Sequence, residues 1–467
     1  MNRRQFVSVG SQALGLLWTG VRRGDVPSDW EPFDVRTFGA RGDGRSDDSL
    51  AFLGALRAAG VGGGTVIVPA GHYVLHQPLR VASGVRMAGS GSTSILDWQS
   101  DTRYAVVLSG ITDAGLSSLT IRGSLSWGVL VEHAKRVLVE RCDVSGATIL
   151  NAGYSGGVII AASSSVRVAN GVFAGNGAPD SFKGSDIQCN GFGTGLCSGI
   201  EIIENTCSSR NVAFNICCFD SDHVRVERNR VSGARTGPGN NTGYGIVLYG
   251  TAANPQSNHD NVVLGNDVRD TEGTGIYLVR GIQSLVEANT LRRVALKQLD
   301  GTLPVGGIVV NDPTVVSIVG NTIDDTPKAG IAVSVDVPMI ASVRVEKNKI
   351  SRADRAGIHL RGGVSKIEIR ENELRDTRGG IVADSPLGQS DVIIADNDLR
   401  LTRGATAGIT LSAAKRSRIE RNAIDESGSF GIDAGDPDGD LALVDNHVTK
   451  QGARATGPVE AVRVRRP

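Results

Sequence analysis

The sequence predicts an all-β chain folded as a parallel β-helix, in which short strands wind into stacked coils. A first phrase of alternating apolar residues ends in asparagine, and its last copies are Asn348, Asn372, Asn397, Asn422 and Asn446, at steps of 24, 25, 25 and 24 residues. A second phrase, Gly-Ile-x-Leu, recurs between the copies of the first, as at residues 245–248, 275–278 and 357–360. Two short strands per repeat cannot bury their apolar faces alone, but stacked repeats bury them continuously.

The asparagine of the first phrase marks a bend between strands. Earlier copies of the phrase place this residue at Asn170, Asn205, Asn229, Asn266, Asn289 and Asn321, with Cys142 taking its place in one repeat. Asparagine suits a bend because it tolerates left-handed backbone angles. Its amide can also bond to the equivalent amide one coil away. We therefore predict a ladder of stacked asparagine side chains.

Composition excludes several classes of protein. The 467 residues carry 49 basic and 49 acidic side chains, so the formal net charge is zero. A nucleic-acid binder needs a basic surface, and aromatic residues, which make up 4% of the chain, are too few for base stacking. No run of about 18 apolar residues occurs, so we expect no membrane span. The oligomeric state does not follow from the sequence.

The N-terminus resembles a twin-arginine export signal. Residues 2–7 read Asn-Arg-Arg-Gln-Phe-Val and precede an apolar stretch that ends at Trp18. This pattern predicts export to the periplasm or the cell exterior; the alternative is a disordered basic terminus. Export would allow disulfides, for which Cys189 and Cys197 are the favoured pair, with reduced core thiols as the alternative.

The region that follows resembles the opening of the pectate-lyase-like superfamily, which includes rhamnogalacturonases and alginate C5-epimerases. The resemblance rests on residues 38–48, Phe-Gly-Ala-Arg-Gly-Asp-Gly-Arg-Ser-Asp-Asp, and on residues 62–73, Gly-Gly-Gly-Thr-Val-Ile-Val-Pro-Ala-Gly-His-Tyr. It implies a right-handed, single-stranded parallel β-helix that binds a polysaccharide along one long face. A helix between the two motifs, with an apolar face from Leu50, Leu53 and Leu56, is expected to cap the open end.

These observations divide the chain into four parts. We assign residues 1–30 to the export signal and a linker, and residues 31–85 to the N-terminal cap and first coil. The parallel β-helix is assigned to residues 86–452, and a C-terminal tail to residues 453–467.

The second phrase predicts which side chains line the glycan-binding face. Ile and Leu point inward, so the residues after them point outward and stack into two columns. We place Asn215, Val247, Tyr277 and His359 in the first column, and Cys217, Tyr249, Asn311 and Arg361 in the second. Neighbours in a column lie about 4.8 Å apart, which is close to the length of one sugar ring.

Insertions point to the middle coils. The first phrase recurs after 35 residues between Asn170 and Asn205, and after 37 residues between Asn229 and Asn266. Long loops on a rigid solenoid are where binding residues concentrate. Lys183 and the pair His259-Asp260 lie in or near these loops.

The superfamily resemblance carries only a little information about the reaction. Polygalacturonase-like hydrolases carry aspartates immediately before the strand glycine, whereas the pairs at 243–244, 273–274 and 305–306 contain no carboxylate. Alginate C5-epimerases carry Gly-Tyr-Gly-Phe-Asp-Pro-His at this strand, and residues 243–249 read Gly-Tyr-Gly-Ile-Val-Leu-Tyr. The resemblance therefore carries over Tyr244, while Val247 and Tyr249 stand where that family has its aspartate and histidine.

We predict a lyase or C5-epimerase that acts on a uronate-containing glycan. Removal of the C5 proton requires neutralisation of the adjacent carboxylate and an acid/base group near the proton. We assign Tyr249 or Tyr244 as the acid/base group, Arg280 as the carboxylate clamp and His223 as a second proton-transfer group. The predicted substrate-binding residues are Asn215, Tyr277, Asp220, Asp222, Asn311, His359 and Arg361.

Three alternatives stay open. One is a glycoside hydrolase of the polygalacturonase or rhamnogalacturonase type, for which Asp220, Asp222 and Asp312 could supply a carboxylate pair. Another is a non-catalytic glycan-binding surface protein, in which Tyr249 and Tyr277 are stacking platforms. No cofactor or metal is assigned, although the acidic turn near Asp220 and Asp222 could hold Ca²⁺.

Overall fold

The chain folds as a parallel β-solenoid built from three long sheets, which confirms the predicted fold class. The computed structural model describes residues 32–465 except 101, 124–125, 149–154, 179–182, 191–194, 238–242, 256, 298–304, 336–341, 384, 386–387, 403–406, 413, 427–429, 436–439 and 451–461. Within the described residues, sheets A, B and C contain 18, 16 and 15 strands. The proposed export signal lies outside this part of the chain.

The strands are short and follow one another in the same order in each coil. Those of sheet A are Phe33–Asp34, Gly64–Val68, Val85–Gly89, Thr112–Ser117, Lys135–Glu140, Ser164–Ala169, Cys197–Ile203, Ser221–Asp222, Arg225–Glu227, Val262–Leu264, Ser284–Glu287, Val315–Val319, Ser342–Glu346, Ser365–Arg370, Gln389–Ala395, Ala414–Lys415, Arg418–Glu420 and Ala442–Val444. Those of sheet B are Asp43–Asp47, Gly71–Leu75, Ser94–Trp98, Thr120–Arg122, Asp143–Ser145, Val172–Ala174, Thr206–Cys207, Arg230–Ser232, Asp267–Arg269, Thr290–Arg292, Thr322–Thr326, Lys349–Ala353, Glu373–Thr377, Asp398–Leu401, Ala423–Glu426 and His447–Lys450. Those of sheet C are Leu79–Arg80, Tyr104–Ser109, Trp127–Glu132, Ser155–Ala161, Gly184–Asn190, Phe214–Phe219, Tyr244–Tyr249, Ile276–Val279, Gly306–Asn311, Ala329–Val335, Ile358–Gly362, Ile381–Ala383, Ala407–Leu411, Phe430–Gly435 and Val462–Arg465.

Stacking of like side chains forms the core. Ile246 pairs with Ile276, which pairs with Ile308 on the next coil, and all three belong to one apolar cluster that runs the length of the solenoid. Each coil alone would leave apolar surface in water, so the coils stabilise one another by stacking. Strand Val462–Arg465 pairs with Phe430–Gly435. This strand is the last described strand of sheet C, and the predicted domain boundaries stay a prediction.

The predicted asparagine ladder is present between sheets A and B. Ten asparagines, from Asn205 to Asn446, each donate from Nδ2 to the Oδ1 of the next or accept from the one before, at N···O distances of 2.9–3.1 Å. Asn229 illustrates how each amide is satisfied. Its Nδ2 also donates to the Ile202 carbonyl, and its backbone N–H shares the Oδ1 of Asn266. The side chains therefore replace the sheet hydrogen bonds that the bend interrupts.

Two details of the ladder prediction are wrong. The left-handed residue is the one before each asparagine, for example Arg228 at φ 52°, so hydrogen bonding and not backbone tolerance selects asparagine at the bend. Asn170 itself has φ 57°, and Gly171 occupies the ladder position, where its N–H donates to Asn205 Oδ1 at 2.9 Å.

The helix predicted near the N-terminus spans Ser49–Gly60, and short 3-10 helices span Val35–Phe38 and Gly91–Thr93. Phe52, Ala55 and Leu56 bury its inner face in the core, whereas Leu50 is 74% exposed, so the predicted leucine face is rotated. Its role as a cap stays a prediction. None of the described helices is long and apolar enough to cross a membrane.

All six cysteines lie in the described residues, where they are buried and form no disulfide. The predicted disulfide between Cys189 and Cys197 is therefore wrong. Cys189 instead stacks over Cys218 in sheet C, where both face the apolar core and serve as packing groups.

Candidate functional site

The strand register tests the two predicted outward columns on sheet C. Val247 pairs with Tyr277, and Tyr249 pairs with Val279, so the central coils stack as predicted. In the preceding coil the register differs from the prediction by two residues. Cys217 pairs with Val247 and Phe219 with Tyr249, whereas the predicted columns paired Asn215 with Val247 and Cys217 with Tyr249. One strand, Gly184–Asn190, was also missed, since it lacks the Gly-Ile-x-Leu phrase.

Asn215 is not in either column. It lies one residue before Ile216, at the position that glycine occupies as Gly245 in the next coil, and it is fully buried. A Cβ atom on Gly245 would approach Val268 Cγ1 of the core to 2.6 Å, so this position faces the interior. Asn215 therefore does not lie on a surface that a glycan could contact.

Asn215 instead belongs to a buried polar network around Asp186. Asn215 Nδ2 and Asn176 Nδ2 each donate to the Asp186 carboxylate at 3.0 Å, and the Ser209 hydroxyl and backbone N–H donate to it as well. All four residues have 0% exposure. Burial raises the pKa of Asp186 to about 6, because the four donors only partly replace water.

The outward face of the middle coils is closed. Cys217, Tyr244, Val247, Tyr277 and Val309 form part of a second apolar cluster, and Tyr244 and Tyr277 are each 7% exposed. Their rings meet edge to face with centroids 5.5 Å apart. The predicted open ladder of sugar-binding positions is therefore wrong for these coils, because apolar side chains pack on one another there.

Burial also changes the predicted chemistry of Tyr244. It raises the pKa of the Tyr244 phenol to about 12, so the group is protonated at neutral pH. Burial therefore opposes formation of the phenolate, so Tyr244 is a poorer base than a solvent-exposed phenol. Asn311 and His359 are buried on the same face, at 6% and 7% exposure, whereas Arg361 is partly exposed.

The edge of sheet C where the strands end is more open. Tyr249 is partly exposed and packs on Phe219 with ring centroids 5.9 Å apart. Arg280 follows the next strand, and its Nη1 donates to the Gly250 carbonyl at 3.0 Å. Because a guanidinium has five N–H donors, Arg280 keeps donors for a carboxylate. The structure thus places Tyr249 and Arg280 at the ends of adjacent strands.

Asp220 has a structural role at this edge. Its carboxylate accepts hydrogen bonds from Thr251 N–H and hydroxyl, from Asn254 Nδ2 and from the Ser257 hydroxyl, at 2.6–2.9 Å. Burial acts to raise the pKa of Asp220, but the hydrogen bonds outweigh it and hold the pKa below its ordinary value. With 1% exposure, Asp220 holds the segment from Thr251 to Ser257 and does not offer a free ligand.

A cluster of two histidines and two aspartates lies beside this segment, and we call it the histidine cluster: Asp222, His223, His259 and Asp260. His259 Nδ1 is 2.9 Å from Asp260 Oδ2, and His259 Nε2 is 3.3 Å from Asp222 Oδ2. His223 Nε2 is 3.8 Å from the same oxygen of Asp260, and the two imidazole rings meet edge to face at 5.1 Å. Two adjacent coils thus bring together groups that are 37 residues apart in the chain.

Sequence reasoning assigned roles to His223 and Asp222 but none to His259 and Asp260. The available signal was the 37-residue step between Asn229 and Asn266, in which a histidine and an aspartate are adjacent. Their convergence on His223 depends on the main-chain hydrogen bond from His223 N–H to the His259 carbonyl, 3.0 Å, which no local pattern encodes.

Two family models match the chain. One is described as rhamnogalacturonase A/epimerase, pectate lyase-like, and matches residues 33–246; the other is described as a right handed beta helix region and matches residues 307–457. The chain is thus similar to pectate-lyase-like and right-handed β-helix proteins over these two regions. The resemblance read from the N-terminal motifs is thereby confirmed, and with it the right-handed sense of the solenoid.

Curated relatives of this β-helix protein match only part of it. A mannuronan C5-epimerase of Azotobacter vinelandii is 35% identical over 108 residues, or 20% of the chain, and alginate lyase 7 of the same organism is 33% identical over 108 residues. The matched parts are 6% and 13% of the lengths of these relatives.

Solved structures align with the chain at low identity. The surface adhesin PfbA of Streptococcus pneumoniae is 14% identical, with a TM-score of 0.47, over 86% of this chain and 91% of that one. The catalytic unit of an alpha-1,3-glucanase from Streptomyces thermodiastaticus is 14% identical, with a TM-score of 0.48, over 93% of this chain and 72% of that one.

Proposed function

We propose that the protein acts on a uronate-containing polysaccharide by removing the C5 proton of a uronate residue, as a lyase or a C5-epimerase. The observation that carries the proposal is the position of Tyr249 and Arg280 at the ends of adjacent strands of sheet C. His223 lies on the preceding coil, in the turn between two strands of sheet A. Tyrosine and histidine transfer protons, and arginine neutralises a carboxylate. These are the two requirements of the reaction.

The steps of the reaction balance with these groups alone. A base takes the C5 proton while Arg280 holds the carboxylate, which stabilises the charge that develops on it. If an acid then returns a proton to the opposite face of C5, the product is the epimer. If the oxygen on C4 leaves with a proton from the acid, a C4–C5 double bond forms and the chain is cut.

Tyr249 and His223 have complementary surroundings for these two roles. Tyr249 stands at the solvent edge of the apolar outward face, where a sugar ring can lie against Phe219 and Tyr249. His223 is exposed, with its Nε2 facing the Asp260 carboxylate. The Asp260 carboxylate faces the His223 imidazole and can orient it, so we assign His223 the role of acid and Tyr249 that of base.

The first substrates to test are mannuronan and alginate, because the relatives of partial length are described as a mannuronan C5-epimerase and an alginate lyase. Polygalacturonate provides a second uronate with a different configuration at C4. A neutral glucan is the matched control, since it lacks the carboxylate that Arg280 would bind.

The test incubates the protein with each polymer and follows three products. Absorbance of a new double bond identifies a lyase, and inverted C5 stereochemistry in the NMR spectrum identifies an epimerase. New reducing ends without the absorbance identify a hydrolase, and retention on immobilised glycan without turnover identifies a binder; either result contradicts the proposal. We expect Tyr249→Phe and Arg280→Ala to lower activity by about a hundredfold or more, while Arg269→Ala, an exposed arginine on sheet B, leaves it unchanged. Full activity in both site variants would remove this edge from consideration.

A further inference from the structure

The histidine cluster has the composition and spacing of a metal site. Three of its residues, His223, His259 and Asp260, offer one ligand atom each, and these atoms all lie within 4.8 Å of one another. We infer that this cluster binds one divalent transition-metal ion of the zinc class through these three side chains.

The distances within the cluster fit a small ion. Ligand bonds of about 2.0–2.2 Å at tetrahedral angles hold two ligand atoms about 3.3–3.5 Å apart. The Asp260 Oδ2 atom is 2.9 Å from His259 Nδ1 and 3.8 Å from His223 Nε2, so these two distances bracket the required separation. Small rotations of exposed side chains equalise them, because the side chains of His223 and Asp260 are 45% and 44% exposed.

Asp222 completes the arrangement as a supporting residue. Its carboxylate is 3.3 Å from His259 Nε2, the nitrogen that would not face the metal, and it also accepts the His259 backbone N–H at 3.3 Å. A carboxylate on the far nitrogen of a ligand imidazole fixes the tautomer and the ring orientation. With an exposure of 9%, Asp222 is the most buried member of the cluster, and its two contacts with His259 fix the position of that imidazole.

The donor set selects the class of ion. Two imidazole nitrogens and one carboxylate oxygen suit zinc and its first-row neighbours, whereas Ca²⁺ prefers six to eight oxygen ligands. This differs from the calcium site considered near Asp220 and Asp222, because Asp220 is occupied by four hydrogen bonds. Three protein ligands leave at least one position open for water or for an oxygen of a ligand.

The inference does not depend on the proposed reaction. A bound ion would occupy the lone pair of His223 Nε2, so His223 can serve as the acid of the proposed reaction only in the metal-free protein. Metal binding is measured without a glycan, so its failure and the failure of the proposed reaction are separate results.

The experiment titrates the full chain, stripped with a chelator, with Zn²⁺ by calorimetry and with Co²⁺ by visible absorbance. We expect one site per chain, with affinity at least about tenfold lower in His223→Ala, His259→Ala and Asp260→Asn, and about 10–100-fold lower in Asp222→Asn. The matched control is His133→Ala, because His133, like His223, is an exposed histidine at positive φ, and it lies in a turn of another coil. Its affinity should equal that of the wild type.

Two results would overturn the inference. One is the absence of a stoichiometric site for either ion in the wild type. The other is binding that survives in His223→Ala and His259→Ala, which would place the ion elsewhere. Equal melting temperatures of wild type and variants in chelator check that the substitutions leave the fold intact, which we expect since the two imidazoles lie at the surface.

Discussion

Replacement of Asn289 by alanine tests the idea that the side-chain ladder carries a large share of the stability of each coil. Asn289 lies in the middle of the ladder and is 1% exposed. Its Oδ1 accepts the backbone N–H and the Nδ2 of Asn266, both at 2.9 Å. Its Nδ2 donates to the Val263 carbonyl at 2.9 Å and to Asn321 Oδ1 at 3.0 Å.

The magnitude follows from the groups that the substitution leaves without partners. Alanine removes the acceptor of the Asn266 backbone N–H and of one Asn266 Nδ2 proton, and it removes the donor to the Val263 carbonyl. Asn321 Oδ1 retains the backbone N–H of residue 289. Each buried orphaned group costs about 1–3 kcal/mol, so three of them should lower the free energy of unfolding by about 3–9 kcal/mol.

The assay is urea denaturation followed by far-ultraviolet circular dichroism. The matched control is Asn170→Ala, because Asn170 is exposed and lies outside the ladder. Alanine there meets only the strain of a left-handed residue, which is about 1 kcal/mol. A loss for Asn289→Ala no larger than that for Asn170→Ala would refute the reasoning, since it would mean that water replaces the amide without a penalty.

Three further predictions follow from the described contacts. The Asp186→Asn variant should gain stability relative to the wild type as pH rises from about 4 to about 6, and the difference should then level off. Because the pKa of Asp186 is raised to about 6 in the folded state, the carboxyl ionises in the unfolded chain first, which lowers the free energy of unfolding of the wild type by about 3 kcal/mol across this window. An equal difference in free energy of unfolding between the two proteins at pH 4 and at pH 7 would contradict this. The Asp220→Ala variant should exchange its backbone amide hydrogens faster from Thr251 to Ser257, because four hydrogen bonds to that segment are lost, while the Asn289 amide stays protected. An equal increase in exchange rate at Asn289 and in this segment would contradict the prediction. The Tyr244→Phe variant should keep activity on the uronate polymer within about twofold, since a buried phenol with a pKa of about 12 is not positioned as a base, and a loss as large as that for Tyr249→Phe would contradict this.

Periodicity determined most of the fold prediction because identical positions recur with nearly equal spacing. The asparagine phrase located the ladder and the Gly-Ile-x-Leu phrase located most strands of sheet C. The strand Gly184–Asn190 was missed because Asp186 stands where other coils carry glycine. The same exchange at Asn215 led to the two-residue error in the columns, since the buried partner of these polar residues lies in a different coil.

The candidate site was predictable in part. Alternation indicated correctly that Tyr249 and Tyr277 face outward on adjacent coils. It could not indicate that Tyr277 is covered, because burial of an outward residue depends on how the apolar side chains of several coils pack together. The contact between His223 and His259 could not be predicted from the repeats either. It depends on the path of a long turn and not on a repeated phrase.

The direction of the asparagine row gives the solenoid a polarity that its backbone alone supplies only weakly. From Asn205 to Asn422, each of nine amides donates one Nδ2 hydrogen to the Oδ1 of the next coil, so small dipoles add head to tail along the axis among the described residues. The two ends of the asparagine row are therefore chemically unlike, because the row begins with the oxygen of Asn205 and ends with the amide nitrogen of Asn446.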